Sequence, residues 1–251
     1  MKKISAGIGF EVTSFALHIM AMLFMLCDHL WGTVVPGSDW LTCIGRLAFP
    51  IFAFMIVEGY FRTRNLKKYI LRLLIFAVIS EIPFNLAMGS SVIYPLHQNV
   101  LWSFLISIAL MHWNEKTRQK HKLPLQILIG VLSVIVGYLL GILTFSDFYG
   151  EGVLIVLVFY FFHGRKWWCY LGQLACLWYI NMEMLGGLSY EIPIGGDVFF
   201  LPRQGFALLA LIPIWLYRGK QGYHSKALQY TYYAFYPAHL LILGLLKLWL
   251  L

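Results

Sequence analysis

Long apolar segments follow one another through this chain, and a lipid bilayer is the environment that accommodates them. A membrane-spanning helix needs about 20 mostly apolar residues. Hydrophobic residues make up 60% of the 251 residues and charged residues only 12%, whereas soluble domains are about 25% charged. Nine segments fit this pattern, although the sixth is short; they cover residues 11–31, 41–61, 69–88, 97–114, 124–143, 150–163, 167–185, 201–217 and 230–250.

These segments predict an all-α, polytopic integral membrane protein with about nine transmembrane helices in a single domain, residues 1–251. The first segment contains Glu11 and Asp28 and ends without a small-residue cleavage site, so we expect it to be retained as a span. The longest connection, residues 186–200, is rich in glycine and is expected to be a loop.

Basic residues indicate the orientation. Of the 19 Lys and Arg residues, all except Arg46, Arg203 and Lys247 precede the first segment or lie in every second loop after it. Such loops stay in the cytoplasm, which places the N-terminus, with Lys2 and Lys3, in the cytosol and the C-terminus outside. The net charge of +8 is explained by this topology. Anionic lipid headgroups are the expected partners of these basic residues, so we expect no nucleic-acid partner.

The cysteines do not indicate a metal site. Cys27 and Cys43 fall near the same predicted face of the membrane, its outer face, and are able to pair, but we favour their interpretation as isolated small apolar residues. The full set, Cys27, Cys43, Cys169 and Cys176, lacks metal-ligand spacing, and we expect no bound metal.

Ionisable side chains interrupt several apolar segments. A charge at the bilayer centre costs roughly 2.5 to more than 10 kcal/mol, so such a group is paired, faces water or takes part in chemistry. Adjacent helical residues do not face each other. We therefore expect Asp28 to serve Arg46 on the next segment and His29 to act as a base. The alternative is a purely structural Asp28–Arg46 bridge with a hydrogen-bonded His29. The other such residues are Glu58, Glu81 and His239.

The predicted topology brings further polar residues to one level of the membrane, near its outer side. Polar groups that share a depth on separate helices indicate a common pocket. Prolines in three segments free backbone carbonyls four residues earlier, as expected around a cavity; they are Pro50, Pro83 and Pro237. The residues that we assign to acceptor binding are Glu81, Asn85, Asn99, Asp147, Glu151, Arg203 and Gln204.

The opposite face has a dense basic patch between the second and third segments. Glu58 lies four residues before Arg62, a spacing that favours an ion pair. The patch contacts either anionic headgroups or a phosphate-bearing cytosolic ligand, which suits the planar guanidinium of arginine. The candidate ligand-binding residues are Arg62, Arg64, Lys67 and Arg72.

Five stretches give the chain a resemblance, nearly from end to end, to the TraX family of bacterial membrane proteins. They are MLCDHLW at 25–31, GRLAFPIFAFMIVEGYFRTRN at 45–65, LRLLIFAVISEIPFNLA at 71–87, FYGEGVLIVLVFYFF at 148–162 and YYAFYPAHLLIL at 232–243. The family is similar to multi-span acyltransferases that use acyl-CoA, and its named member is associated with acetylation of the N-terminus of F-type pilin. The resemblance implies an acetyl-CoA-dependent enzyme of the bacterial inner membrane. It also implies that the motif positions are occupied by Asp28, His29, Arg46, Glu58, Glu81 and His239.

Topology and resemblance together predict a reaction path. The nucleotide of cytosolic acetyl-CoA would bind the basic patch, and its pantetheine arm would pass along His239 until the thioester meets His29. A helix-packing hydrogen bond explains His239 equally. His29 would take a proton from an amine or hydroxyl acceptor, while Arg46 or Arg203 stabilises the oxyanion. An acetyl-histidine intermediate is equally open. The acceptor, a peptide or a small molecule, is not fixed by the sequence.

Two other functions compete with this one. A small-molecule transporter also uses charges and broken helices near the midplane, but such folds often contain internal repeats, and none is visible here. A non-catalytic membrane component of a secretion or conjugation assembly would not need a buried histidine.

Overall fold

The fold is known from a computed structural model, which describes residues 11–250. Within this range the chain forms ten α-helices. They are α1 (Ser14–Thr33), α2 (Asp39–Gly45), α3 (Ala48–Arg62), α4 (Leu66–Gly89), α5 (Leu101–Lys120), α6 (Leu123–Leu143), α7 (Tyr149–Phe161), α8 (Trp167–Tyr179), α9 (Leu211–Leu216) and α10 (Lys226–Leu250). A π-helical turn, Ile180–Met184, continues α8, and a 3-10 helix, Arg203–Ala210, leads into α9.

Every predicted apolar segment contains helix, so the prediction of a helical membrane protein is confirmed. By length and composition, five helical stretches are able to cross a membrane: Ser14–Thr33, Asp39–Arg62, Leu66–Gly89, Leu123–Leu143 and Lys226–Leu250. Shorter apolar helices occupy Tyr149–Phe161 and Arg203–Leu216. The count of nine spans and the orientation stay predictions, and Lys2 and Lys3, on which the orientation partly rests, lie outside the described residues.

The surface of α6 shows what a lipid environment requires. Ile127, Val131 and Ile135 follow one another at intervals of four residues and are 58%, 53% and 50% exposed, so they form an apolar stripe along one helical face. Water would disfavour this stripe, whereas lipid chains accommodate it. The buried core lies elsewhere, around α3 and α7, where Ile51 and Phe159 are completely enclosed.

The second predicted span is broken in the structure. It divides into α2 and α3, with Arg46 and Leu47 in the connection. Pro50 lies in the first turn of α3, where a missing N–H leaves no intrahelical hydrogen bond unmade. Pro83 and Pro237, by contrast, lie inside α4 and α10. Arg46 and Leu47 both keep right-handed helical backbone angles, so Arg46 lies at a two-residue interruption of one helical stretch.

The prediction of a loop over residues 186–200 is wrong in part. Residues Ser189–Ile194 (β1) and Asp197–Pro202 (β2) form an antiparallel hairpin, in which Ile194 pairs with Asp197. The turn residues Gly195 and Gly196 have φ values of +61° and +100°. A two-residue hairpin turn favours two glycines in this left-handed region, and this glycine pair was the signal in the sequence.

Three helices surround the region described next. The long α10 packs along α4 and also contacts α1. On its other side α1 packs against α2 and α3. The first and last helices of the chain are therefore neighbours, which brings residues separated by more than 200 positions together.

Candidate active site

A pair of histidines joins α1 and α10. Nδ1 of His29 lies 2.6 Å from Nε2 of His239, and the two rings are almost parallel, at 6°. His239 was expected to line the passage for a pantetheine arm or to form a helix-packing hydrogen bond. The structure places it in direct contact with His29, and its role at a pantetheine arm stays a prediction. Nδ1 of His239 lies 2.6 Å from the carbonyl oxygen of Phe235 on the preceding turn of α10.

These two contacts determine where the protons lie when both rings are neutral. A carbonyl oxygen only accepts, so Nδ1 of His239 donates to Phe235 and Nε2 of His239 is left as an acceptor. Nδ1 of His29 must then donate to that acceptor, which leaves a lone pair on Nε2 of His29. No side chain among residues 11–250 donates to this nitrogen. The pair therefore holds His29 in the tautomer that a base at Nε2 requires.

Asp28 has its own partners, as expected from its position beside His29. Thr42 of α2 donates its hydroxyl to Oδ1 of Asp28 at 2.8 Å, and Nη1 of Arg46 lies 3.7 Å from Oδ2. The predicted pairing of Asp28 with Arg46 is thus confirmed. Nε of Arg46 is buried and has no hydrogen-bond partner within the described part of the chain, so one donor of this guanidinium stays available.

The contact between α1 and α2 depends on Gly45. A Cβ atom at this position would lie 2.7 Å from Cα and 2.8 Å from the backbone nitrogen of Asp28. Real Cβ atoms do not approach a backbone so closely, so only glycine permits this crossing. The close approach brings Thr42 and Arg46, on the same short helix and its end, within reach of the Asp28 carboxylate.

A second histidine–carboxylate pair lies where two connections meet. Nε2 of His97, before α5, lies 3.2 Å from Oδ1 of Asp147, before α7. Backbone hydrogen bonds of 2.8 Å from Gln98 to Phe145 and from Asp147 to Gln98 hold the two connections together. The carboxylate of Asp147 hydrogen-bonds His97, and this raises the pKa of the imidazole above its ordinary value.

The backbone around Asp147 is strained. Phe145, Phe148 and Tyr149 have φ values of +51°, +61° and +44°, a region that residues other than glycine rarely adopt. Strain of this kind persists only where the surroundings enforce it, and it concentrates at functional sites. The ring of Phe148 stacks on Phe49 of α3 with centroids 4.5 Å apart, so this turn packs against the helix that follows Arg46.

Glu81 of α4 organises the start of α5. Its Oε1 accepts from the side-chain nitrogen and, at 3.2 Å, the backbone N–H of Asn99, and from the indole of Trp102 at 2.6 Å. Its Oε2 is buried without a partner among residues 11–250. Asn85 lies one turn later on α4 and donates to the carbonyl of Val92 at 3.3 Å, so it anchors the connection rather than joining Glu81.

These groups form one region, which we call the polar cluster. Phe84 of α4 joins them, because its ring centroid lies 4.9 Å from that of His97 and its side chain packs in one buried cluster with Met25 of α1 and Tyr236 of α10. Its members are Asp28, His29, Thr42, Arg46, Glu81, His97, Asn99, Asp147 and His239. Thr42 and His97 were not assigned to the site from the sequence. His97 opens a run of three polar residues before α5, whereas nothing in the sequence distinguished Thr42.

Three predicted acceptor-binding residues have separate partners. Arg203 forms a two-pronged ion pair with Asp39 at 2.8 and 2.7 Å. Gln204 donates to Asn181 at 2.9 Å, and the hydroxyl of Tyr138 lies 3.4 Å from Glu151. In the described structure these contacts join helices rather than reach the histidine pair. The acceptor-binding role of these residues stays a prediction.

A cavity of about 660 Å³ opens between α1, α3, α4 and α10, a volume typical of ligand pockets. Its far end reaches Met25, Leu101 and Tyr236. The ring centroid of Tyr236 lies 6.3 Å from that of His29 and 5.9 Å from that of His239, so the cavity ends beside the histidine pair. Its mouth is basic, with Arg62, Arg64, Lys68 and Arg72 in the lining.

The basic mouth agrees with the sequence except at one residue. Lys68 lines it, rather than the predicted Lys67. The predicted ion pair is confirmed, because Nε of Arg62 lies 2.8 Å from Oε2 of Glu58. The other oxygen of Glu58 accepts from His163 at 2.8 Å, a contact that the sequence did not indicate. Arg62 also donates to the carbonyl of Gly219 at 2.9 Å, which fixes the rim of the mouth.

The cysteines are all free. Cys27 and Cys43 do not pair with each other. The thiol of Cys43 lies 3.2 Å from the hydroxyl of Tyr190 on β1, so this buried residue contributes to packing between α2 and the hairpin.

Comparison with known proteins gives two similarities. The family model described as TraX protein matches residues 14–247. The probable fimbrial assembly protein FimC, serogroup H1, of Dichelobacter nodosus is 26% identical over 265 residues, which cover 96% of this chain and 98% of that protein. No solved structure matches the chain significantly.

Proposed function

The chain belongs to the TraX family, and from this premise we propose that it is a membrane-embedded acyltransferase. It takes an acetyl group from cytosolic acetyl-CoA and transfers it to an amine or hydroxyl of an acceptor at the membrane or its outer face. The protein lies in the bacterial inner membrane with nine spans in one domain, its N-terminus in the cytosol and its C-terminus outside. The name of the relative concerns fimbrial assembly, which supports a fimbrial or pilin-type subunit as acceptor.

One observation carries the proposal: the cavity runs from a basic mouth to Tyr236, whose ring lies beside the histidine pair, although neither histidine lines the cavity itself. Acetyl-CoA has an anionic nucleotide at one end and a thioester at the other. Arg62, Arg64 and Arg72 at the mouth suit the phosphates. Tyr236 at the far end lies beside His29 and His239. The charge and the position of the two ends match the two ends of the ligand.

His29 is the base of the proposed reaction. The acceptor's nitrogen or oxygen forms a bond to the thioester carbonyl carbon while its proton moves to Nε2 of His29. The resulting imidazolium keeps its Nδ1–H bond to Nε2 of His239, while Nδ1 of His239 donates to the carbonyl of Phe235. Collapse of the intermediate breaks the C–S bond, and His29 returns the proton to the departing CoA sulfur. Each histidine thus ends in the tautomer in which it began.

Arg46 is the candidate for the oxyanion. Its Nε is buried without a hydrogen-bond partner among the described residues, and a free donor in a site sheltered from water is what a developing negative charge requires. Thr42 donates to Asp28, and Asp28 holds the guanidinium of Arg46 in place. We assign Asp28 to positioning Arg46 and not to proton transfer.

The proposal is tested by release of CoA from acetyl-CoA by the purified protein, with water or an added amine as acceptor. We expect His29→Gln to lower the rate by about 100-fold or more, because general-base catalysis contributes roughly 10²–10⁴-fold. His121→Gln is the matched control, since His121 is exposed at the end of α5. A wild-type protein that neither binds CoA nor releases it, or a His29→Gln variant at full rate, would falsify the proposal and favour a transporter or an assembly component.

A further inference from the structure

One wall of the cavity has a row of polar side chains along α10. Tyr232 and Tyr236 both line the cavity, one helical turn apart, and His239 follows three residues later. The hydroxyl oxygens of both tyrosines are buried, and neither hydroxyl donates to an acceptor among residues 11–250, although the backbone N–H of Val100 lies near the oxygen of Tyr236. Tyr236 is only 7% exposed. Across the cavity, Nε of Arg72 on α4 is likewise buried and without a partner in that range.

Buried donors without a partner are rare, because each costs about 1–3 kcal/mol. The packing of Tyr232 shows that its orientation is fixed: its ring stacks on His18 at 4.1 Å and 12°. Nδ1 of His18 donates to the carbonyl of Ser14 at 2.7 Å, so this ring is fixed too. Rigid tyrosines that line one cavity, and whose buried hydroxyls have no acceptor in the described chain, indicate that the acceptor comes from a molecule inside the cavity.

The spacing of the row indicates the shape of that molecule. Four helical residues advance about 6 Å and three about 4.5 Å. A molecule that meets Tyr232, Tyr236 and the histidine pair in turn therefore carries polar groups about every 5 Å along a narrow chain. The pantetheine arm of acyl-CoA has this pattern. Its two amide carbonyls are four bonds apart, roughly 5 Å when extended, and the sulfur follows the second carbonyl at a similar distance.

We propose that Tyr232 and Tyr236 donate hydrogen bonds to the two amide carbonyls of the pantetheine arm, and so set the thioester at His29. The assignment rests on the proposed function, because it takes acyl-CoA as the ligand. Tyr232 meets the amide nearer the nucleotide, and Tyr236 meets the amide nearer the sulfur. Both are substrate-binding residues that position the reacting carbonyl.

Binding of CoA and of adenosine 3′,5′-bisphosphate, the nucleotide fragment without the arm, tests the assignment by titration calorimetry. We expect Tyr232→Phe and Tyr236→Phe each to weaken CoA binding about 3- to 10-fold, the range of one neutral hydrogen bond, and the double variant about 30-fold. Binding of the nucleotide fragment should not change. Tyr230→Phe is the matched control, since Tyr230 lies on α10 but is 61% exposed.

The remaining outcomes separate the two proposals. If the wild-type protein binds neither molecule, the proposed function fails. If it binds CoA and the two variants bind CoA equally well, the hydroxyls face only water, and the assignment is wrong while the function stands. If the substitutions weaken binding of CoA and of the nucleotide fragment equally, the assignment of the tyrosines is also wrong, because the substitutions would then have disturbed the whole cavity. Thermal unfolding in detergent checks that each variant is folded.

Discussion

The polar cluster and the cavity differ in whether their buried polar groups have partners within the chain. In the cluster, Asp28 accepts from Thr42 and faces Arg46, while His29 donates to His239. The hydroxyls of the tyrosines that line the cavity have no acceptor in the described chain. The cluster is preorganised by its own contacts, which suits the positioning of reacting groups. The cavity wall is left incomplete, which suits a surface that a ligand completes.

The polar cluster also contains two buried atoms without a partner in the described chain. Nε of Arg46 and Oε2 of Glu81 are the buried side-chain atoms of the cluster without a partner among residues 11–250. In each group another atom is held by the chain: Nη1 of Arg46 faces Asp28, and Oε1 of Glu81 accepts from Trp102. A fixed side chain with one free polar atom is the arrangement expected where a substrate atom binds.

Substitution of Gly45 should produce the largest effect. In Gly45→Ala the new Cβ would meet the backbone of Asp28, so α2 must move away from α1 and the Thr42 and Arg46 contacts are lost. We expect a loss of about 1–3 kcal/mol in stability and roughly 100-fold in acetyl transfer, as for a misplaced catalytic group. Thermal unfolding and CoA release measure the two effects.

Gly37 supplies the control for this change. A Cβ at Gly37 would meet nothing within 4 Å, and its φ is not in the left-handed region, so Gly37→Ala should leave stability and activity unchanged. Equal behaviour of the two variants would show that the close approach of α1 and α2 does not organise the polar cluster.

A smaller effect of opposite sign is expected in the cavity. Tyr232→Phe removes a buried hydroxyl that has no partner in the described chain, so the ligand-free protein should be unchanged or up to about 1 kcal/mol more stable. In saturating CoA the wild type should be the more stable of the two proteins, because only the wild-type tyrosine gains a hydrogen bond. Unfolding curves with and without CoA give both values. A clear loss of stability without ligand would mean that the hydroxyl is already paired.

The pH dependence of His97 should give the smallest effect. The Asp147 carboxylate raises the pKa of His97 above the ordinary value of 6.5. The resulting stabilisation is therefore complete below pH 6.5 and is lost as the pH rises through the raised pKa of the folded protein. Between pH 6 and pH 8.5 the free energy of unfolding of the wild type should fall by up to about 1 kcal/mol more than that of His97→Gln. The difference is this small because the pair is partly exposed. Equal slopes of unfolding temperature against pH would exclude this pair as a contributor.

The helices and the polar residue types could be read from the sequence because both are local properties. Apolar segments located the helices within a few residues, and the spacing of Glu58 and Arg62 predicted their ion pair. The hairpin was missed because a glycine-rich, weakly charged stretch also fits a loop. The contact between Asp28 and Arg46 was predictable because a short connection joins their helices.

The sequence by itself determined that this chain folds as a helical membrane protein and which ionisable groups its apolar segments must accommodate, because a bilayer penalises each such group wherever it lies. Only the tertiary structure decided the partners. It paired His29 with His239 across 210 positions, and it left Tyr232 and Tyr236 facing a cavity. Contacts between distant helices follow from how whole helical faces pack together, and no local pattern of residues specifies that packing.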